Sequence, residues 1–227
     1  MPLSVNRLEI ISRQLVKRNK IKNGYIRPII YRSSHSMSPE TKLCKSEIAI
    51  AAWKWGKLFD KPALSLEISK YPKLNSKIYP INAKSSGSYQ TSVLARADLE
   101  KTKFDDCLMV DLKGNVAETS ACNIFWIKNE KVFTPLTHSI LDGITRRCII
   151  KLCKINKINI SINNYKLDKI YSADSVFTTG TAAEIQIINK IKNKKFDVNS
   201  KIIQFLIEKY QFLKNTGPNL ISDIKKI

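Results

Sequence analysis

Ser175-Val176-Phe177-Thr178-Thr179-Gly180-Thr181-Ala182-Ala183-Glu184-Ile185-Gln186-Ile187-Ile188 is the stretch on which the fold turns. Residues 175–179 carry no charge and are rich in β-formers, the pattern of a buried strand. Gly180-Thr181-Ala182-Ala183 is a tight turn of small residues, and 184–188 returns as a second strand. Just upstream, the pattern predicts a helix over 143–154, a strand over 158–162 and a short helix over 167–172. Downstream, 199–212 is amphipathic, with Ile202, Ile203, Leu206, Ile207, Tyr210 and Leu213 on its apolar face. Strands alternating with helices in this way place the chain in the α/β (α+β) class.

Working further outward, residues 107–111 read as a strand, and Lys113-Gly114-Asn115 follows as a turn. Residues 123–127 and 131–134 flank Asn129-Glu130 as a hairpin. Near the start, 5–20 places Leu8, Ile11, Leu15 and Val16 at helical spacing. Asn23-Gly24 then breaks to β-rich runs over 25–31 and 47–55, joined by a loop over 33–40 rich in Ser, Pro and His. Residues 63–68 alternate as a half-buried strand does, and a helix over 88–101 opens just past Gly87. There is no internal repeat. The region up to residue 80 lacks a complete fold pattern of its own, which sets domains of 1–80 and 81–227.

Composition removes several classes of function. The net charge of +20 comes from 39 Lys and Arg against 19 Asp and Glu. These basic residues are spread from Arg7 to Lys226 with no aromatic-interleaved basic segment, so they read as a solvated surface and not as a nucleic-acid interface. Five cysteines (Cys44, Cys107, Cys122, Cys148 and Cys153) are an odd number without CxxC spacing, and read as reduced core residues of a cytoplasmic protein. His35 and His138 lack the surroundings of a zinc site or a hydrolase triad. No apolar run reaches membrane-span length, and the first residues carry no signal-peptide core.

Four small features converge on one chemistry. In Pro80-Ile81-Asn82-Ala83-Lys84-Ser85-Ser86-Gly87-Ser88-Tyr89, one lysine sits among small and apolar residues with a tyrosine five positions on. A desolvated lysine can lose its proton near neutral pH and attack a carbonyl as a free amine; the plainer reading is that Lys84 ends a short strand. Glu118 lies in the weakly charged stretch Asn115-Val116-Ala117-Glu118-Thr119-Ser120. Leu141-Asp142-Gly143-Ile144-Thr145-Arg146 is a helix start whose free amides and dipole suit a phosphate, with the Thr145 hydroxyl adding a bond. Thr179-Gly180-Thr181-Ala182 offers further amides and a hydroxyl. Singly, each is more simply a cap, a turn or a paired acid. Together they match pyridoxal phosphate, which needs an amine, a phosphate cradle and an acid against the ring nitrogen.

With those residues in view, the chain from about Leu8 onward resembles the class IV aminotransferases, the fold-type IV pyridoxal phosphate enzymes, and within them the branched-chain amino acid aminotransferases. The resemblance is carried by Tyr25-Ile26-Arg27-Pro28, Trp53-Lys54-Trp55-Gly56, Ala83-Lys84 through Gly87 and Tyr89, and Glu118-Thr119 with Asn123-Ile124-Phe125. It continues through Phe133-Thr134-Pro135, Leu141-Asp142-Gly143-Ile144-Thr145-Arg146 and Gly180-Thr181-Ala182-Ala183-Glu184-Ile185, in order and at matching spacing. It implies a partial small α/β domain beside a larger, mixed β-barrel-like domain with flanking helices.

The resemblance also implies roles. Lys84 would be the Schiff-base lysine and the proton shuttle at the substrate α-carbon, with Glu118 facing the pyridine nitrogen and Tyr89 the ring hydroxyl. Ile144, Thr145 and Thr181 would hold the phosphate, and the Thr181 and Ala182 amides the substrate carboxylate. Arg27 would meet the side-chain carboxylate of glutamate, and Trp55 would wall an apolar pocket. The implied reaction is transamination of leucine, isoleucine or valine with 2-oxoglutarate or glutamate, in a homo-oligomer whose other partners are small amino and 2-oxo acids.

Two departures stand out. Leu58 occupies the neighbourhood where the family has a pocket tyrosine. The family's upstream segment, with its Gly-rich substrate strand and phosphate arginine, does not precede Met1, which leaves a catalytically silent remnant as one reading. D-amino acid aminotransferase and aminodeoxychorismate lyase are alternatives on the same fold; Arg27 in its Tyr-Ile-Arg-Pro context and the Gly-Thr-Ala-Ala-Glu turn favour the branched-chain enzyme.

Overall fold

The computed structural model describes residues 2–34, 37–38, 40–56 and 58–215; His35 and part of the 33–40 loop lie outside them. The chain divides into two compact units, Met1–Leu58 and Phe59–Ile227. The boundary drawn from sequence at residue 80 differs from this division. The reason is β3 (Ala63–Ile68), which hydrogen-bonds in parallel with β4 (Asp106–Val110) and β10 (Glu184–Ile191) inside the second unit.

The first unit is α1 (Val5–Arg18) and the antiparallel ribbon of β1 (Gly24–Arg32) and β2 (Ser46–Lys54). Ser4 starts the helix by accepting the Arg7 N–H at 3.2 Å, and Lys17 and Arg18 close it at the negative end of its dipole. The ribbon pairs nine residues on each side without a bulge, from Gly24 opposite Lys54 to Arg32 opposite Ser46. Tyr25, Trp53 and Trp55 meet ring to ring, with centroids 5.3–5.9 Å apart. No side chain of α1 is buried, and Ile26, Ile29 and Ile30 are exposed.

The second unit is organised by ring closure. Strands β5 (Val116–Thr119), β6 (Asn123–Lys128) and β9 (Ser175–Gly180) join β3, β4 and β10 so that β9 pairs both β6 and β10. Six strands thereby close into a barrel, which removes their edges. Strand β6 gives one edge to β9 and shares the other, pairing with β5 at Asn123 and with β7 (Lys131–Pro135) further on; β8 (Ile160–Asn163) continues from β7. The short β11 (Lys194–Lys195) extends the other end.

The sequence of β6 shows why it reads as a continuous apolar run. Ile124 and Trp126 enter a cluster to which every barrel strand contributes, including Leu66, Leu108, Val116, Val176 and Ile188. Phe125 and Ile127 face the other way, into a second cluster. There they meet Ile149 and Cys153 of α3 (Ile144–Ile155) and Ile203 and Leu206 of α5 (Lys201–Asn215). A strand buried on both faces has no polar side to alternate with. Phe125 and Phe177 stack at 5.0 Å across that layer. A third cluster seats Ala95 and Leu99 of α2 (Gln90–Leu99) on Cys107 and Met109. The remaining helix, α4 (Leu167–Tyr171), leads into β9 with Ile170 buried.

The hairpin expected at Asn129-Glu130 is present, with both residues at positive φ (48° and 60°), the geometry that matches strand twist in a two-residue turn. The helix expected over 88–101 is shorter, and a 3-10 turn at Ser86–Tyr89 precedes it. The five cysteines are unpaired. No helix among the described residues is long and apolar enough to cross a membrane.

Candidate active site

A cavity of about 240 Å³ opens in the second unit, walled by four separate stretches of sequence. The first wall is the loop after β3. It holds Lys84 in place through turns: Ala83 N–H bonds to Pro80, Ser85 N–H to Ala83, and the Tyr79 and Ser85 hydroxyls lie 2.6 Å apart. A Cβ at residue 87 would lie 2.6 Å from the Tyr79 hydroxyl, so the Tyr79 side chain would have to shift to accept one. Lys84 therefore belongs to a loop and does not end a strand. It lines the cavity yet is exposed, so the desolvation expected from its neighbours is absent. Its ammonium has no hydrogen bond or ion pair among the described residues. Tyr89, half-buried at the end of the 3-10 turn, lines the same cavity.

The second wall is acidic and buried. Glu118 sits in β5, 7% exposed. Lys73, itself 8% exposed, places its ammonium 3.1 Å from Glu118 Oε1 and donates to Ser92 at 2.9 Å. Asn123 donates to Glu118 Oε2 at 2.9 Å and to the Leu141 carbonyl at 2.8 Å, tying the acid to the third wall. Burial pushes the Glu118 carboxyl up; Lys73, the Leu141 backbone N–H and Arg146 oppose that rise without cancelling it.

The third wall is the start of α3. Gly143 occupies the cap position without a side-chain hydrogen bond, so no side chain caps the amides that follow it. A Cβ at residue 143 would collide with Asn123 Oδ1. Arg146, buried, anchors the approach by donating to Asp142 at 2.7 Å and to the Pro135 carbonyl at 2.8 Å. Thr145 is buried and Ile144 exposed, and both line the cavity. Burial raises the Tyr210 phenol, while hydrogen bonding with Thr145 opposes that rise.

The fourth wall is the turn after β9, with Thr179, Gly180 and Thr181. The Thr179 hydroxyl is buried and has no hydrogen-bond partner among the described residues. Behind the turn, Cys122 has its thiol pushed up to about 12 by burial, so it stays a neutral packing group.

The cavity thus collects Lys84, Tyr89, Glu118, Ile144, Thr145 and Thr181 from segments far apart in sequence. Ala182 follows Thr181 in the same turn. Arg27 and Trp55 lie in the first unit, both exposed, and their substrate roles rest on sequence resemblance alone. Reading the sequence missed Lys73, one lysine among many and without a motif. It quoted Asn123 without giving it a role; its side chain joins walls 18 residues apart.

The donor set fits a phosphate-bearing pyridine aldehyde. A lysine side chain without a partner among the described residues stands on one side, and a carboxylate with acceptor capacity beyond its two partners on another. Uncapped helix amides and an orphaned buried hydroxyl remain for an anion.

Comparison with known proteins gives one family throughout. Residues 1–191 match the family described as amino-transferase class IV. A probable branched-chain-amino-acid aminotransferase of Rickettsia bellii is 32% identical over 213 residues, covering 92% of this chain and 74% of that protein. The crystal structure of the branched-chain aminotransferase of Thermoproteus uzoniensis with norvaline superimposes with a TM-score of 0.88 at 29% identity, covering 92% of this chain and 71% of that one. The T.th. branched-chain amino acid aminotransferase with pyridoxamine 5'-phosphate gives 0.90 at 26% identity, with 98% and 75% covered. The chain spans about two thirds to three quarters of the length of such relatives.

Proposed function

The chain belongs to the class IV aminotransferases, and from that membership we propose that it transfers amino groups between branched-chain amino acids and 2-oxo acids, with pyridoxal 5'-phosphate in the cavity of Lys84 and Glu118. The observation that carries the reading is the meeting of an unpartnered lysine amine, a buried carboxylate and an uncapped helix start around one cavity. When bound, the cofactor supplies an electron sink for the substrate α-carbon.

The residues divide the remaining work. Lys84 would hold the cofactor at its aldehyde, and its amine would be the group that carries a proton at the substrate α-carbon. Glu118 would accept from the pyridine N–H and so favour its protonated form, and Tyr89 would bond the ring hydroxyl. The Ile144 and Thr145 amides and the Thr145 and Thr181 hydroxyls would hold the phosphate at the positive end of α3. The Thr181 and Ala182 amides meet the substrate carboxylate.

The names of the relatives support branched-chain amino acids such as leucine, isoleucine and valine as donors, and a relative solved with N-(5'-phosphopyridoxyl)-L-glutamate supports glutamate and 2-oxoglutarate as the second pair. The test compares transamination of L-leucine and D-alanine with 2-oxoglutarate by the purified protein. Turnover of L-leucine is expected, and preference for D-alanine would sink the branched-chain assignment. The five unpaired cysteines support a reducing cytoplasm as the setting. The exposed isoleucines of β1 support a homo-oligomer, which a monomeric elution on size-exclusion chromatography would contradict.

A further inference from the structure

We propose that Lys73 is a positioning residue of the cavity's acidic wall: its buried ammonium fixes the Glu118 carboxyl group in place. The geometry assigns this role from three directions. The Lys73 backbone N–H is tied to the Val110 carbonyl at 2.8 Å, so the residue rides on the end of β4. Its ammonium is held by the Ser92 hydroxyl of α2 and reaches Glu118 Oε1, while Asn123 holds Oε2. Both oxygens of the acid are thus clamped, each with a lone pair to spare. The two charged side chains are each about one-tenth exposed, so neither is neutralised by bulk water.

A carboxylate this deep needs a partner. Burial favours its neutral form, and a neutral Glu118 would not hold a protonated ring nitrogen. The groups facing Glu118 are few. Lys73 comes from the segment after β3 and Arg146 from α3; the Leu141 backbone N–H and the Asn123 amide are neutral. Cys122, in the turn before β6, has its thiol raised to about 12 and carries no charge near neutral pH. Arg146 is occupied by Asp142 at 2.7 Å, which leaves Lys73 as the ion-paired cation on the acid among the described residues. The part of this proposal that concerns the ring rests on the cofactor reading; the Lys73–Glu118 coupling does not.

The sign of the pH effect follows from the direction. Glu118 is raised in the folded chain, so its contribution favours folding below its unfolded pKa and fades as pH rises through the folded one. Removing Lys73 lifts that upper limit further. The experiment compares wild type, Lys73→Met, Lys73→Arg and Lys73→Met/Glu118→Gln without cofactor, by thermal melts from about pH 8 to about pH 5 and by the infrared band of the protonated Glu118 carboxyl. For Lys73→Met the melting temperature should fall by about 6–12 °C at the alkaline end and recover toward wild type at the acid end. The carboxyl band should persist about one to two pH units higher. Lys73→Arg should keep the wild-type band midpoint, and the double variant should regain melting temperature and lose the pH slope.

With pyridoxal phosphate added, Lys73→Met should bind about ten-fold more weakly. A carboxyl midpoint unmoved in Lys73→Met, with a pH-independent melting deficit, would reduce Lys73 to core filler and overturn the proposal. If Lys73→Met does not fold, the midpoint in Lys73→Arg decides: retention supports the proposal, and a rise equal to that of a neutral substitution overturns it. A wild type that fails to bind pyridoxal phosphate while the Lys73→Met shift is seen overturns the cofactor reading and keeps the pair.

Discussion

Two walls of one cavity are built on opposite principles. Glu118 is buried in a closed barrel, with one oxygen on Lys73 and the other on Asn123. Lys84 stands on a loop, exposed and without a hydrogen bond or ion pair among the described residues. The acid is held by the fold itself, because a charge at that depth has to be partnered before any ligand arrives. The amine is left open. On the proposed function it has to bond to a carbonyl carbon, leave it and move a proton, and a fixed partner would have to be broken at each step. Local stability accordingly follows the acidic wall and turnover the amine wall.

The largest expected effect tests that division from the amine side. Lys84→Ala should lower transamination by at least about 10³-fold and abolish borohydride trapping of pyridoxal phosphate on the chain, read by peptide mass. Its melting temperature should move by no more than about 1 °C, since an exposed lysine with no partner contributes little to folding. A large drop in melting temperature would mean that the amine wall is structural after all. Next comes Gly143→Ala, which acts on the acidic wall without touching a charge. The new methyl meets the Asn123 side chain that links Glu118 to Leu141, and relief requires that link to move. A loss of about 1–3 kcal/mol in urea unfolding is expected, together with weaker pyridoxal phosphate binding. Unchanged unfolding would show that Asn123 shifts freely and that the acid is held less firmly than its bonds imply.

The same contrast explains what the amino-acid sequence disclosed. That Lys84, Glu118, Thr145 and Thr181 belong together around one cavity was legible because each sits in a short local frame: a turn, a strand, a helix start. β6 and β9 were legible because burial on both faces leaves a run without charge. Lys73 was not, because its meaning depends on β4, α2 and β5 coming together, and nothing near Tyr71-Pro72-Lys73-Leu74 sets it apart from the chain's other lysines. The division at residue 80 differs from the two compact units for a related reason. β3 alternates like any half-buried strand, and its assignment to the barrel lies in its parallel partners β4 and β10, reached only after the chain has folded back. The exposure of Lys84 was hidden too, since small neighbours in sequence do not fix what covers a loop.

The smallest expected effect separates holding a ligand from holding the fold most cleanly. The Thr179 hydroxyl is buried beside the cavity with no partner among the described residues, so the folded chain bears the cost of desolvating it. Thr179→Val removes that cost while keeping nearly the same shape, and should leave stability unchanged or raise it by up to about 1 kcal/mol. If the hydroxyl waits for an anion, the same substitution should weaken inorganic phosphate or pyridoxal phosphate binding by about three- to ten-fold, measured by calorimetry. Stability and affinity then move in opposite directions, which a residue serving only the fold cannot produce. If both fall together, Thr179 bonds within the protein and belongs with Glu118 on the side built by the fold.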